Sequence, residues 1–226
     1  MRKTIVASTL ALAAFTLGSE ARAQGWGLHT GDTLRSGDNM LAGEVGWPDL
    51  TLGFHHGMSD KVDLGFDFSL IYGAEYTSGT RLGLGMRVPI RISPVKRGNF
   101  SFMFHIDPGV KFDSFGGNCG FGNYYCALRF GIWFPLGLEF GIHLNREATL
   151  SFGMEMPIFV NLTNGAYGAI PILFGPGFEY HVDDHIAIGL NTKFGPSILA
   201  VGDGVGGSTA YTAFGFITQL YFAYRL

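Results

Sequence analysis

The sequence predicts an all-β protein: a transmembrane, antiparallel, up-and-down β-barrel of about ten strands, with eight as the alternative. Three observations lead to this fold class. Apolar residues recur at every second position, over runs longer than the strands of soluble proteins usually are. The apolar faces of these runs carry no Asp, Glu, Lys or Arg. The chain is rich in Phe and Gly, yet after its first 23 residues it has no apolar segment long enough for a membrane-spanning helix.

The clearest alternation lies in two runs between Arg81 and Phe112. The first run has six apolar residues on one face: Leu82, Leu84, Met86, Val88, Ile90 and Ile92. The second run has seven: Phe100, Phe102, Phe104, Ile106, Pro108, Val110 and Phe112. Because successive side chains of a strand point to opposite faces, each run has one apolar face and one face with glycine and charge. This pattern is typical of strands with lipid on one side and a polar lumen on the other.

Residues 1–23 have the features of a secretory signal peptide. A basic start, Met1-Arg2-Lys3, precedes the apolar run from Thr4 to Leu17, and Ala21-Arg22-Ala23 forms an Ala-x-Ala cleavage site. We expect cleavage after Ala23. The mature chain would then have 15 − 3 = 12 basic and 18 − 1 = 17 acidic residues, a formal net charge of −5. No basic patch is present, so nucleic acid is not an expected partner.

Residues 24–39 are rich in Gly, Asp, Ser and Thr and show no period, so we predict an irregular N-terminal lead-in. Residues 40–226 form the predicted barrel domain. Besides the two runs described above, the alternating runs are 41–47, 50–58, 62–72, 128–144, 150–162, 170–180, 186–198 and 212–226. A tight turn at Gly46 to Asp49 separates the first two, which gives ten strands rather than nine. Single-chain bacterial barrels have an even number of strands.

The connections between the runs alternate between short and long from Met58 onward. We expect periplasmic turns near Ser59, Lys96, Arg146 and Asp184, and outer loops near Glu75, Gly120, Asn164 and Asp203. Several prolines lie inside the runs, where each removes one hydrogen-bond donor from the sheet. We expect bulges or kinks at these positions.

The N-terminal signal peptide, the ten alternating strands and a final strand that runs to Leu226 together resemble the small bacterial outer-membrane β-barrel proteins. The resemblance covers essentially the whole mature chain and concerns architecture, without a specific motif. It implies a monomer inserted by the barrel-assembly machinery into outer-membrane lipid. In that superfamily the last residue is usually Phe or Trp, whereas this chain ends in Leu226 after Leu220, Phe222 and Tyr224.

The inward faces of the predicted strands carry equal numbers of acidic and basic residues. The acids are Glu44, Asp63, Asp67, Asp107, Glu139, Glu155 and Glu179, and the bases are Arg81, Arg87, Arg91, Lys111, Arg129, Lys193 and Arg225. We expect Asp67 to pair with Arg87, and Arg87 or Arg91 to pair with Asp107. A balanced interior predicts a salt-bridged lumen, and hence a structural barrel or a narrow, weakly selective channel.

Glu139, Glu155 and Glu179 lie on three consecutive strands, with Lys193 on the next. Clustered carboxylates can bind a cation or act as acid and base, but neutralisation by lysine or arginine is the preferred interpretation. The inward histidines are His105, His143 and His181, which fall at mid-barrel or toward the periplasm rather than at the outer rim. We therefore predict neither an enzyme nor a metal or cofactor site; a barrel enzyme remains a minor alternative.

Cys119 and Cys126 flank a short glycine-rich stretch in the longest predicted loop. In an exported protein two cysteines this close in sequence predict a disulfide that ties the loop together. A surface-loop adhesin or binding protein is therefore the main alternative function, because such a loop would face the medium.

Overall fold

A computed structural model of the protein describes residues 25–75, 82–115, 127–163, 167–202 and 208–226. The signal peptide predicted for residues 1–23 and the cysteine pair Cys119 and Cys126 lie outside these residues. The strands are β1 (Asn39–Trp47), β2 (Asp49–Ser59), β3 (Val62–Ile71), β4 (Gly83–Arg87), β5 (Ile90–Arg97), β6 (Phe100–Ile106), β7 (Gly109–Phe115), β8 (Ala127–His143), β9 (Ala148–Asn161), β10 (Tyr167–Pro171), β11 (Leu173–His181), β12 (Ile186–Gly202) and β13 (Ser208–Arg225).

Three of these strand pairs are halves of one long strand. β3 pairs with both β4 and β5, β8 pairs with both β6 and β7, and β9 and β12 each pair with both β10 and β11. The thirteen segments therefore make ten antiparallel strands. The pairing of β1 with β13 closes the sheet into a barrel. The predicted all-β, antiparallel up-and-down barrel and the count of ten strands are confirmed, and Pro48 alone separates β1 from β2.

Two of the three interruptions fall at prolines, Pro89 and Pro108. A proline cannot donate a hydrogen bond, but its carbonyl group still accepts one. The amide of Gly65 donates to the Pro89 carbonyl at 2.8 Å, and the amide of Val88 donates to the Pro108 carbonyl at 2.9 Å. Neighbouring strands therefore stay joined through the prolines, and the barrel remains closed at these positions.

The distribution of polarity separates the two faces of the barrel. Large apolar side chains are exposed on every one of the ten strands; along β3, Phe66 is 50% exposed and the next residue, Asp67, is 5% exposed. Within the described ranges, the exposed charged residues are Arg35, Asp60, Lys61, Lys96, Arg97, Arg146, Glu147, Asp183 and Asp184. Eight of the nine lie at or next to the short turns. The ninth, Arg35, lies beside the turn after β2, where the Ser36 amide donates to Asp60. We call this end the short-turn end of the barrel. The opposite end is called the long-loop end.

Two of the short turns are built around a side chain that binds the main chain. Asn145 accepts hydrogen bonds from the amides of Glu147 and Ala148. Asp183 accepts them from the amides of His185 at 2.7 Å and Ile186 at 2.8 Å, and these bonds lower the pKa of its carboxyl group. Such Asx turns fix tight connections between antiparallel strands.

Residues 25–38 contain neither helix nor strand, and they fold into the lumen at the short-turn end. We call this segment the N-terminal plug. Trp26, Leu28 and Leu34 of the plug are buried, and they pack with Met40, Ala187 and Tyr221 of the wall. Glycines let its main chain approach: a Cβ atom at Gly57 would collide with the Arg35 carbonyl oxygen, and one at Gly141 with that of Thr30.

Other inward glycines are covered by long side chains from neighbouring positions. A Cβ atom would collide with Trp133 at Gly85, with His105 at Gly137, with Glu139 at Gly153, with Tyr221 at Gly189 and with His55 at Gly65. The small lumen can hold these large inward side chains because the wall positions that they cover are glycines, which have no side chain.

Gly141→Ala tests whether the wall is shaped to the plug. The new methyl group would collide with the Thr30 carbonyl oxygen and lie 2.6 Å from Ser101 Oγ, so overpacking should lower the free energy of unfolding by about 1–3 kcal/mol. Urea unfolding in detergent micelles measures this. The control is Gly43→Ala on the outer face, where the nearest atom is Leu52 Cδ2 at 3.8 Å; it should be neutral or stabilising. Equal effects of the two variants would contradict the account.

Candidate functional site in the barrel lumen

The lumen is the candidate functional site because it collects nearly all the buried charge of the described chain. From the short-turn end inward it contains the N-terminal plug, then a small chamber, then an apolar cluster near the long-loop end.

Arg91 on β5 and Asp63 on β3 hold the plug through a buried ion pair. Arg91 donates from Nε and Nη2 to the two carboxylate oxygens of Asp63, each at 2.7 Å. Arg91 Nη1 also donates to the carbonyl oxygens of Gly27 at 3.0 Å and Leu28 at 2.9 Å. In return, Asp63 Oδ2 accepts the amide of Leu34 at 3.0 Å. One bidentate pair thus binds both ends of the buried part of the plug.

Four more side chains of the wall bind main-chain atoms of the plug. Ser93 Oγ, Ser101 Oγ and Lys96 Nζ donate to the carbonyl oxygens of Gly31, Thr30 and Thr33 at 2.8, 2.8 and 3.0 Å, and Glu179 Oε2 accepts the Leu28 amide at 3.0 Å. Because the plug has no strand partner over these residues, these side chains satisfy main-chain groups that would otherwise be buried without hydrogen bonds. They give an irregular segment a defined position.

The side chains of the plug also find polar partners. Asp32 lies 3.1 Å from His143 Nε2 and 3.3 Å from Ser101 Oγ. His29 Nε2 lies 2.9 Å from Glu44 Oε2 on β1. The ring of Trp26 packs edge-on against His181 at 4.8 Å between ring centroids. The plug therefore contacts strands on all sides of the barrel.

Beyond the plug lies a chamber with a volume of about 50 Å³. It is lined by Leu28, His29, Glu44, His55, Asp67, Arg87, Pro89, Arg91, Met103, His105, Asp107, Glu155 and Gln219. A single water needs about 10–15 Å³ on the same measure. The chamber therefore has room for a few waters but not for a solute the size of a sugar.

Ion pairs line the chamber. Arg87 Nη2 lies 3.3 Å from Asp67 Oδ2, and His55 Nε2 lies 3.3 Å from the other oxygen of Asp67. His105 Nδ1 lies 2.9 Å from Asp107 Oδ2. The second oxygen of Asp107 is buried without a protein hydrogen-bond partner. Waters in the chamber can satisfy this oxygen, because a buried carboxylate oxygen without a partner is costly.

Lys193 occupies the wall beside the chamber and is fully buried. Its Nζ forms an ion pair with Glu139 and another, at 3.0 Å, with Glu155 Oε2. Glu179 is not part of this group: it binds the plug through the Leu28 amide, and it also accepts a hydrogen bond from Tyr221 Oη at 3.0 Å. The structure therefore brings together two of the three predicted glutamates around Lys193.

An apolar cluster lies in the lumen toward the long-loop end. Its members are Ala74, Trp133, Phe159, Ala169 and Leu199, and we call it the septum. Each of them is at most 3% exposed. Arg87 Cζ lies 4.5 Å from the centroid of the Trp133 ring and Lys111 Nζ lies 5.2 Å from it, so two cations stack on the septum.

The structure corrects one predicted pairing. We expected Asp107 to pair with Arg87 or Arg91; instead Arg91 pairs with Asp63, and Asp107 lies beside His105. The plug explains this, because the Arg91 guanidinium is turned toward the carbonyl groups of Gly27 and Leu28. The expected contact between Asp67 and Arg87 is present. Arg81, also among the predicted inward residues, lies outside the described residues.

Four buried carboxylates were not among the predicted inward set: Asp32, Asp49, Glu75 and Asp113. Asp113 could have been found, because it follows Lys111 at the next inward position of β7. Asp32 and Glu75 lie outside the strands and follow no period. In the described strands and Glu75, the inward-facing wall has ten acids and six bases, a formal charge of 6 − 10 = −4 with neutral histidine. Asp49, Glu75 and Asp113 add three acids to the predicted seven, and Arg81 lies outside the described residues, so the described part of the wall has an acidic excess.

Within the ranges that the structure covers, no group of three or more His, Cys, Asp or Glu residues is arranged to hold a metal ion. In the same ranges no helix has the length and apolar character needed to cross a membrane. Comparison of the sequence with protein-family models and with curated proteins gives no match.

Arg91→Ala tests the importance of the ion pair that holds the plug. It would leave the buried Asp63 carboxylate and two carbonyl groups of the plug without their partner, so the free energy of unfolding should fall by about 3–5 kcal/mol. The matched control is Arg146→Ala, which removes a surface pair with Asp184 at 3.2 Å. Those two side chains are 65% and 60% exposed, and the loss should be about 0.2–1 kcal/mol.

Urea unfolding of both variants in detergent micelles provides the measurement, and limited proteolysis reports on the plug. Arg91→Ala should make residues 25–38 cleavable while the barrel resists. A plug that stays protected in Arg91→Ala, with a stability equal to that of Arg146→Ala, would show that the ion pair does not hold it.

Proposed function

We propose that the protein is an integral outer-membrane β-barrel, with a salt-bridged lumen that is closed at rest. The observation that carries this proposal is the inverted polarity of the closed barrel: its outer face is apolar on all ten strands, and the charges of the described residues lie inside or at the short-turn end. A soluble barrel of this size has the opposite arrangement, because an exposed apolar surface of this extent would aggregate in water. Lipid is the solvent that such a surface matches.

The same proposal covers export and orientation. Residues 1–23 act as a cleavable signal peptide, and the chain reaches the outer membrane through the barrel-assembly machinery as a monomer. The short-turn end, which holds all nine exposed charges of the described ranges, faces the periplasm. The long-loop end faces the medium.

A structural role or a narrow channel are the functions that this lumen supports best. The plug and the septum leave a chamber that fits only a few waters, which is why we expect little conductance from the intact protein. The four carboxylates that line the chamber are ion-paired with Lys193, arginine or histidine, which favours a structural role over catalysis there.

Phe66→Lys tests the membrane proposal. Phe66 lies on the outer face in the middle of β3 and is 50% exposed. A lysine facing lipid near the bilayer midplane costs about 2–4 kcal/mol, so the fraction of chain that folds into lipid vesicles and resists protease should fall. In a soluble protein the same exposed substitution would change stability by only about 0.5 kcal/mol.

The control is Phe66→Leu, which keeps the position apolar and should insert as the wild type does. Normal insertion of Phe66→Lys, or a wild-type chain that folds in water without lipid or detergent, would contradict the proposal.

A further inference from the structure

The lumen has two closures of opposite chemistry, one at each end of the chamber. At the short-turn end the plug is held by hydrogen bonds and ion pairs from Asp63, Arg91, Ser93, Ser101 and Glu179. At the long-loop end the septum consists of apolar side chains only. An ion crossing the barrel would have to pass both closures in series.

The septum reaches across the lumen from wall to wall. Trp133 comes from β8 and Leu199 from β12, whereas Ala74 follows β3 on the other side of the barrel. The main chain beside Ala74 is anchored, because the Phe216 amide donates to the Glu75 carbonyl oxygen at 2.7 Å. Apolar side chains that meet across a lumen stop ions by excluding the water that hydrates them, and here the cations of Arg87 and Lys111 stack against the Trp133 ring.

The plug can leave without breaking the barrel. It contributes no strand to the sheet, and water can replace its polar contacts. Its departure also requires Trp26, Leu28 and Leu34 to separate from the apolar wall residues around Tyr221. Its covalent link to the wall is at Asn39, next to the exposed residues 35–37. Its departure would open the chamber to the short-turn end.

The charges between the closures favour cations. The chamber is lined by four carboxylates, from Glu44, Asp67, Asp107 and Glu155, by two guanidinium groups, from Arg87 and Arg91, and by the imidazoles of His29, His55 and His105. With neutral histidines, the lining has two more negative than positive charges. In the described strands and Glu75, the wall has four more inward acids than inward bases. In addition, the second carboxylate oxygen of Asp107 has no hydrogen-bond partner in the protein. Carboxylates lining a pore raise the local concentration of cations and exclude anions.

We propose that the lumen is a pathway for small hydrated cations, closed twice in series by the N-terminal plug and the septum, and conducting only when both are displaced. The proposal rests on the proposed function as an outer-membrane barrel. It adds the class of ion and the two closures.

The experiment opens each closure separately and then both together. A protease recognition sequence inserted between Ser36 and Gly37, both exposed, lets the plug be cut from the folded protein. The released fragment is removed with mild urea, and its loss is checked by mass spectrometry. Trp133→Ala opens the septum. Currents are recorded in planar bilayers under a KCl gradient for four samples: neither closure opened, each one opened, and both opened.

We expect a several-fold larger conductance with both closures open than in any other sample, with a reversal potential that shows preference for K⁺ over Cl⁻. Uncut protein with the inserted sequence controls for the insertion. Phe134→Ala controls for loss of an aromatic ring from β8, because Phe134 faces outward and is exposed. If Trp133→Ala does not fold, Leu199→Ala removes a smaller part of the septum.

Flotation of each sample with lipid vesicles separates the two proposals. Protein that does not float refutes the membrane proposal and this inference with it. If the protein floats but carries no current with both closures open, the pathway is ruled out. If cutting the plug alone gives the full conductance, the septum is not a closure. A preference for Cl⁻, or no preference, would overturn the assignment to cations.

Discussion

The antiparallel pairing of β1 with β13 is the constraint on which the rest of this structure depends. It joins the two ends of the sheet between residues 40–47 and 218–225, so the sheet closes on itself there. A closed sheet has an inner and an outer face. Because side chains alternate along each strand, one residue faces the lumen and the next faces outward. The apolar residues take the outside, and the charged residues must then find partners in a narrow space.

The lumen meets that demand with main-chain groups as well as with side chains. In the described strands and Glu75, the wall has six inward bases for ten inward acids. The plug supplies amides to Asp63 and Glu179 and carbonyl groups to Arg91, so it completes the hydrogen bonding of the wall while it fills the space. Buried ion pairs gain little stability unless such extra bonds satisfy their remaining atoms.

The fold could be predicted from sequence, whereas the plug could not. A two-residue period, as from Leu82 to Ile92, predicts which face of the sheet each side chain lies on. Ten such runs predict ten strands. The contacts of the plug are made to its main chain, so the sequence from Trp26 to Leu34 carries no pattern that reports them. For the same reason the partner of Arg91 was predicted wrongly. Asp113 was missed because β7 continues beyond the predicted end of its strand.

We propose that the outer face of this barrel contacts lipid while its inner face encloses the charged lumen. A nitroxide scan along residues 63–70 of β3, in protein reconstituted into vesicles, tests it most directly. Labels at 64, 66, 68 and 70 should collide often with oxygen dissolved in the bilayer and rarely with an aqueous nickel reagent, whereas labels at the alternate positions should be sheltered from both. Frequent collisions of the first set with the aqueous reagent would contradict the account.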